Sequence, residues 1–195
     1  MSIWWLDAAW AAFFGTFYWS HRQVRAAGVR PETRVRRDRS SDNGMALQFV
    51  AVTIAGLWSG AFREQMVLPG ICVAVASIWL VRSALRHLGR QWRLQAVITE
   101  DHDLITTGPY RVVRHPVYTA FFGMLVATIL MRGHPVARLL AVVVFVAGTH
   151  IRIRAEERLL LAAFGDKFLA YSEATPWAYL PISYPRPAQT SPRQN

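Results

Sequence analysis

The sequence predicts an all-α integral membrane protein with five transmembrane helices, and three observations lead to it. Of the 195 residues, 53% are hydrophobic and only 17% are charged, against about 25% charged in an ordinary globular chain. The apolar residues gather into five separate runs, and the basic residues fall mostly between alternate runs. Mean hydropathy is +0.19. This composition excludes disordered and fibrous classes, which are apolar-poor or strictly periodic. Cys72 is the single cysteine, which excludes an internal disulfide, a cysteine-based zinc site and an iron–sulfur cluster.

The five runs are residues 3–19, 45–62, 66–85, 117–131 and 135–151. Crossing the hydrocarbon core takes about 20 residues, with a range of about 17–25. The second and third runs meet this easily, and the first and fifth sit at the lower limit. The fourth needs its flanks or a locally thinner bilayer. Trp4, Trp5, Tyr18 and Trp19 stand near the ends of the first run, where aromatic belts form. That run is no signal peptide, since it lacks a basic leader and Asp7 interrupts it.

Charge gives the orientation. Seven Arg lie between runs one and two, six between three and four with their flanks, and six cations follow run five. Only Arg63, Arg132 and Arg138 fall on the other side. The positive-inside rule then places the N-terminus outside and the C-terminus in the cytoplasm. The same asymmetry explains the net charge of +10 without nucleic acid. The basic stretch 30–39 has no interleaved aromatics to stack bases.

The outer connections, 63–65 and 132–134, are short and predict two tight helical hairpins. Gly56 and Gly60, four apart in run two, are a weak helix-packing signal. The inner connections, 86–116 and 152–195, are long, and long connections are often functional. Beyond run five, Glu156, Glu157, Leu159, Leu160, Leu161 and Phe164 have helical spacing. Gly165 ends that helix and Asp166 caps the next. One domain over residues 1–184 is expected, with a disordered Pro/Ser/Gln-rich tail at 185–195.

Chemistry concentrates in two places. The first is Gly108-Pro-Tyr110-Arg-Val-Val-Arg114-His115-Pro116-Val-Tyr118. Gly-Pro marks a turn, and Pro116 suits the first position of a helix. Arg114 and His115 then sit at a helix N-terminus whose free N–H groups favour an anionic group. A plain interfacial anchor, with Arg on lipid phosphate and Tyr at headgroup depth, is the alternative. The second is Arg152-Ile-Arg154-Ala-Glu156-Glu157-Arg158, where Arg152 and Glu156 share a helical face and suit either an ion pair or a ligand. The cluster Glu100, Asp101, His102, Asp103 matches no metal-ligand spacing, so no metal is expected.

Together these two motifs resemble the isoprenylcysteine carboxyl methyltransferase family, which shares its general plan with phospholipid N-methyltransferases. The similarity runs over about 92–181, which it marks as the cofactor-binding half. The resemblance implies transfer of a methyl group from S-adenosylmethionine to a lipid-tailed acceptor at the cytoplasmic membrane face, leaving S-adenosylhomocysteine. An isoprenylcysteine-like carboxylate is the leading acceptor. A phospholipid or other lipid amine is the rival within the family, and a small membrane scaffold or transport component is the non-enzyme alternative. It further implies a cytoplasmic cofactor-binding loop and C-terminal helices. The cofactor contacts it implies are Gln95, then His102, Asp103, Leu104 and Ile105 (with Ile where the family has Val), then Tyr110, His115, Pro116, Val117, Tyr118 and Glu156. Arg152 takes the position that holds the acceptor carboxylate. A sulfonium methyl transfer needs approach geometry and desolvation more than a strong base, so the lack of a nucleophile triad or metal fits this chemistry.

Overall fold

The computed structural model describes residues 4–26, 36–57, 62–89, 97–98 and 103–180. The tail expected at 185–195 lies outside these residues, as do Gln95 and His102. The described chain is helical: α1 (Trp4–Ala26), α2 (Ser40–Leu57), α3 (Val67–Leu88), α4 (Pro116–Met131), α5 (Pro135–Phe164) and α6 (Asp166–Ala174). Its one ladder is two residues long. There β1 (Arg36–Arg37) runs antiparallel to β2 (Val97–Ile98), with Arg36 opposite Ile98.

The elements test the expectations one by one. Among the described residues, two helical stretches, Glu64–Leu88 and Pro135–Phe164, are long and apolar enough to cross a membrane, and α4 is a shorter apolar helix. Length and composition therefore do not carry the count of five spans. The helix begun by the fifth run continues past Ile151, as the spacing from Glu156 to Phe164 predicts: α5 is unbroken for 30 residues, about 45 Å at 1.5 Å per residue. It is thus longer than a hydrocarbon core of about 30 Å. The boundary after it holds: Gly165, at φ 50°, ends α5. Asp166 is the first residue of α6 rather than its cap, and no side chain caps that helix.

The pairing of helices differs from the expectation. The short connections predict α2 against α3 and α4 against α5, but α2 packs along α5 and α3 along α4. Small residues decide this. A Cβ on Gly44 would lie 2.5 Å from the Gly148 carbonyl oxygen, and one on Gly148 would lie 2.7 Å from the Gly44 carbonyl. The backbones of α2 and α5 therefore nearly touch, and no larger residue fits at either position. Between α3 and α4 the glycines face side chains instead: Gly70 lies against Met131 and Gly123 against Ser77. Gly56 has open space around it, so the close approach in α2 comes at Gly44, three turns earlier.

The core beside these seams is aromatic. Phe121 stands edge-on to Phe145 with centroids 5.2 Å apart, and Phe13 and Trp10 of α1 join the same cluster. Two polar links cross between helices, a buried one from Gln48 Nε2 to Thr149 Oγ1 at 2.8 Å and a half-buried one from Trp10 Nε1 to Thr128 Oγ1 at 3.0 Å. Outside the core the surface stays apolar. Leu68, Val75 and Trp79 form an exposed stripe on α3, as do Val136, Leu139, Leu140 and Val143 on α5.

The long connections meet at one end. Arg158 of α5 reaches Asp38 before α2, Nη2 to Oδ2 at 2.7 Å, and the β1–β2 ladder ties the connection before α2 to the one before α4. At the other end the Arg63 N–H donates to the Met131 carbonyl at 2.9 Å. The segments grouped by their Arg content thus share one end of the bundle.

Candidate functional site

At the end where the long connections meet, the turn before α4 faces the C-terminal part of α5. Gly108 opens that turn at φ 60°, and its missing side chain makes room for the His87 ring at the end of α3. A short 3₁₀ turn, Gly108–Arg111, follows. The chain then enters α4 with His115 as its N-cap and Pro116 as its first residue, as the sequence predicts.

Six side chains from these two segments form one buried cluster. Arg114 Nε donates to Glu157 Oε1 at 2.8 Å, and its Nη1 donates to the Thr175 carbonyl at 2.7 Å. The His115 ring lies between two carboxylates, with Nε2 3.3 Å from Glu157 Oε1 and Nδ1 3.4 Å from Glu156 Oε2. The Tyr118 hydroxyl donates to Glu156 and accepts from Arg152 Nε at 2.8 Å. Arg152 Nη2 stands 3.7 Å from Glu156 Oε1, one helical turn along α5, and its guanidinium lies over the Tyr118 ring at 5.3 Å. His115 and Tyr118 stack with centroids 5.7 Å apart.

Charge follows from this geometry. A neutral imidazole has one donor nitrogen, yet both nitrogens of His115 face carboxylates, and only the doubly protonated ring can donate to both. Burial disfavours that charge, but the hydrogen bonds to Glu156 and Glu157 outweigh it and raise His115 from 6.5 to about 9. Glu156 keeps 24% of its side chain exposed while Glu157 keeps 4%. Of the two carboxylates, Glu156 is the one that can meet a ligand.

The helix N-terminus is occupied differently from the expectation. The N–H groups of Arg114 and His115 donate to the carbonyls of Trp177 and Ala178, at 3.0 and 2.8 Å, and Thr119 Oγ1 donates to the Tyr179 carbonyl at 2.6 Å. The segment after α6 thus accepts from the N-cap residue and from the residue before it. Nor is Arg114 a lipid anchor: it is buried, 6% exposed, and satisfied within the protein.

The structure therefore brings together His115, Tyr118, Arg152 and Glu156. Pro116 is fully buried beside them, while Val117 packs against the main apolar core. Tyr110 is buried close by, its carbonyl accepting from Tyr171 at 2.7 Å. Asp103, Leu104 and Ile105 lie in the irregular segment leading to the Gly108 turn. Sequence reasoning did not assign a site role to Arg114 or Glu157. The signal was present as two adjacent pairs, Arg114-His115 and Glu156-Glu157, of matching opposite charge.

Apolar-faced helices ending in a buried charged cluster define a class, that of helical proteins of membrane type with a polar site at one end of the bundle. Comparison with known proteins narrows it. Residues 70–162 match the model of the isoprenylcysteine carboxyl methyltransferase (ICMT) family. Protein-S-isoprenylcysteine O-methyltransferase A of Arabidopsis thaliana is 32% identical over 117 residues, which is 60% of this chain and 57% of that one. The Mus musculus protein-S-isoprenylcysteine O-methyltransferase is 27% identical over 119 residues, 61% of this chain and 40% of that one. The solved structure of the eukaryotic intramembrane Ras methyltransferase ICMT superposes with a TM-score of 0.51 at 22% identity, covering 74% of this chain and 51% of that one. This last likeness shows the fold. The chain thus spans between two fifths and three fifths of these relatives. The family resemblance carried by the two motifs is shown by these comparisons, and the matched stretch contains the whole six-residue cluster.

Proposed function

We propose that this protein is an integral membrane methyltransferase that uses S-adenosylmethionine to O-methylate an isoprenylcysteine-like carboxylate on a lipid-tailed acceptor. The observation that carries the reading is the buried cluster of His115, Tyr118, Arg152 and Glu156 at one end of apolar-surfaced helices. The donor set fits the cofactor. Glu156 offers a partly exposed carboxylate for a sulfonium or ammonium group, and Tyr110 and Tyr118 supply buried aromatic surface. The remaining contacts, Gln95, His102, Asp103, Leu104, Ile105, His115, Pro116 and Val117, are proposed from the family motif. When bound, the cofactor supplies an electrophilic methyl group, which the acceptor oxygen takes in line while the electron pair of the broken carbon–sulfur bond stays on sulfur.

The residues orient and desolvate. Glu156 is held by Tyr118, His115 and Arg152, so its carboxylate is fixed before a ligand arrives, which reduces the ordering that binding must otherwise supply. Arg152, beside it, is the group that positions the acceptor carboxylate. The exposed stripes on α3 and α5 support a lipid surround, which lets the tail enter sideways from the bilayer. The charge asymmetry supports an inner-membrane protein with its N-terminus outside and its site at the cytoplasmic face.

A lipid amine is the second acceptor class. It is favoured by one observation: Arg152 already turns its charge toward Glu156 and Tyr118, which leaves a partly exposed carboxylate beside the acceptor position. The test is a tritiated methyl-transfer assay with purified protein, S-adenosylmethionine, a farnesylcysteine analogue and phosphatidylethanolamine. Base-labile label on the farnesylcysteine analogue is expected. Label on the amine alone overturns the carboxylate reading, and no transfer to either overturns both.

A further inference from the structure

The cluster reads as an alternating chain of charge: Arg114, Glu157, His115, Glu156, Arg152. Each neighbour in it lies within 2.8 to 3.7 Å of the next. Its more exposed carboxylate is Glu156, at 24%, and its less exposed one is Glu157, at 4%. Glu157 has no exposed edge to offer a ligand, and one of its oxygens contacts both Arg114 and His115. We infer that Glu157 is a positioning residue of the cofactor site, which acts through His115: it holds His115 as an imidazolium, and that imidazolium fixes the carboxylate of Glu156 for the ligand. The inference rests on the methyltransferase reading only for the identity of that ligand.

If Glu157 were neutral, one His115 nitrogen would lose its anionic acceptor, and the buried ring would shed its proton at neutral pH. A neutral ring can still donate through one nitrogen, but it has no charge with which to hold Glu156 against Tyr118 and Arg152. The groups facing His115 and its partners are Arg114 before α4, Tyr118 on α4, Arg152, Glu156 and Glu157 on α5, and Tyr171 on α6, whose hydroxyl feels both Arg114 and Glu157. Burial alone would leave His115 neutral; the two carboxylates reverse that.

The test reads His115 directly. Protein with isotope-labelled histidine rings is titrated in detergent by NMR, and His115 is assigned among the six histidines by comparison with His115→Gln. An imidazolium at pH 7.5 is expected in the native protein, and a midpoint at least two pH units lower in Glu157→Gln. Calorimetry with S-adenosylmethionine is expected to show at least tenfold weaker binding by Glu157→Gln at pH 8 and recovery toward native affinity at pH 6, where the ring is charged again. A purely structural loss would not recover. Glu157→Gln leaves Arg114 buried without its partner, so Arg114→Gln/Glu157→Gln, which removes both charges, is measured beside it with the same expected midpoint. A neutral His115 in the native protein at pH 7.5, or a midpoint unmoved in the folded variants, overturns the inference. Failure of the native protein to bind S-adenosylmethionine at any pH overturns the methyltransferase reading instead and leaves the His115 titration standing.

Discussion

Arg114 and Glu157, 43 residues apart in the chain, meet with Nε 2.8 Å from Oε1 and both side chains almost wholly buried. The pair joins the turn before α4 to the C-terminal part of α5. A buried ion pair gains little net stability against an apolar substitute, but removing one partner alone costs about 3–5 kcal/mol, because the other is left as a lone buried charge. In this chain the pair fixes a register, setting His115 beside Glu156.

That register makes stability pH-dependent. His115 stands at about 9 in the folded protein against an ordinary 6.5. The contribution is therefore fully present below about pH 6.5 and lost as pH rises through about 9, and it amounts to at most about 3 kcal/mol. The thermal midpoint in detergent should fall between pH 6.5 and 9.5, and the fall should be shallower in His115→Gln. Equal slopes in the two proteins would show that another group titrates there.

The close approach of α2 and α5 gives a second prediction. Gly44→Ala places a methyl 2.5 Å from the Gly148 carbonyl and should destabilise by about 1–3 kcal/mol through overpacking. Gly56→Ala meets nothing within 4 Å and should be neutral or stabilise by up to about 1 kcal/mol through helix propensity. Thermal unfolding of the two variants in one detergent is the measurement. Equal midpoints would mean that α2 and α5 do not pack through Gly44.

Arg152 separates the acceptor classes. With a carboxylate acceptor, Arg152→Lys keeps the charge but loses the planar fork, and single-turnover methyl transfer at saturating S-adenosylmethionine should fall well below native. Arg152→Ala should fall further still. With an amine acceptor, loss of the cation should leave the rate unchanged or raise it. An Arg152→Ala protein as fast as native would move the proposal to the lipid amine.

Orientation is testable with single cysteines on a Cys72→Ala background. Gln65 and Lys167 are both exposed and lie at opposite ends of the bundle. An impermeant thiol reagent should label Gln65→Cys in intact cells and Lys167→Cys only after the cells are opened. The reverse pattern would put the cluster on the outer face.

Element ends were legible where local chemistry set them. Pro116 starts α4, Gly165 ends α5, and the helical spacing from Glu156 to Phe164 continues as helix. The pairing of helices was not legible, because connection length says which helices follow one another and not which surfaces fit. Gly44 and Gly148, far apart in sequence, settle that by letting two backbones touch.

The site divides along the same line. Residue types able to do the chemistry could be read from the chain alone, because the Arg114-His115-Pro116 and Glu156-Glu157 motifs are local and the chain's charged groups are few. Their assignments came from packing: Arg114 turns inward to Glu157, His115 bridges both carboxylates, and the segment after α6 accepts from the N–H groups of Arg114 and His115. The physical reason is that a charge or a free N–H near a bilayer must find a partner once buried, and which partner lies within about 3 Å depends on how helices distant in sequence pack together.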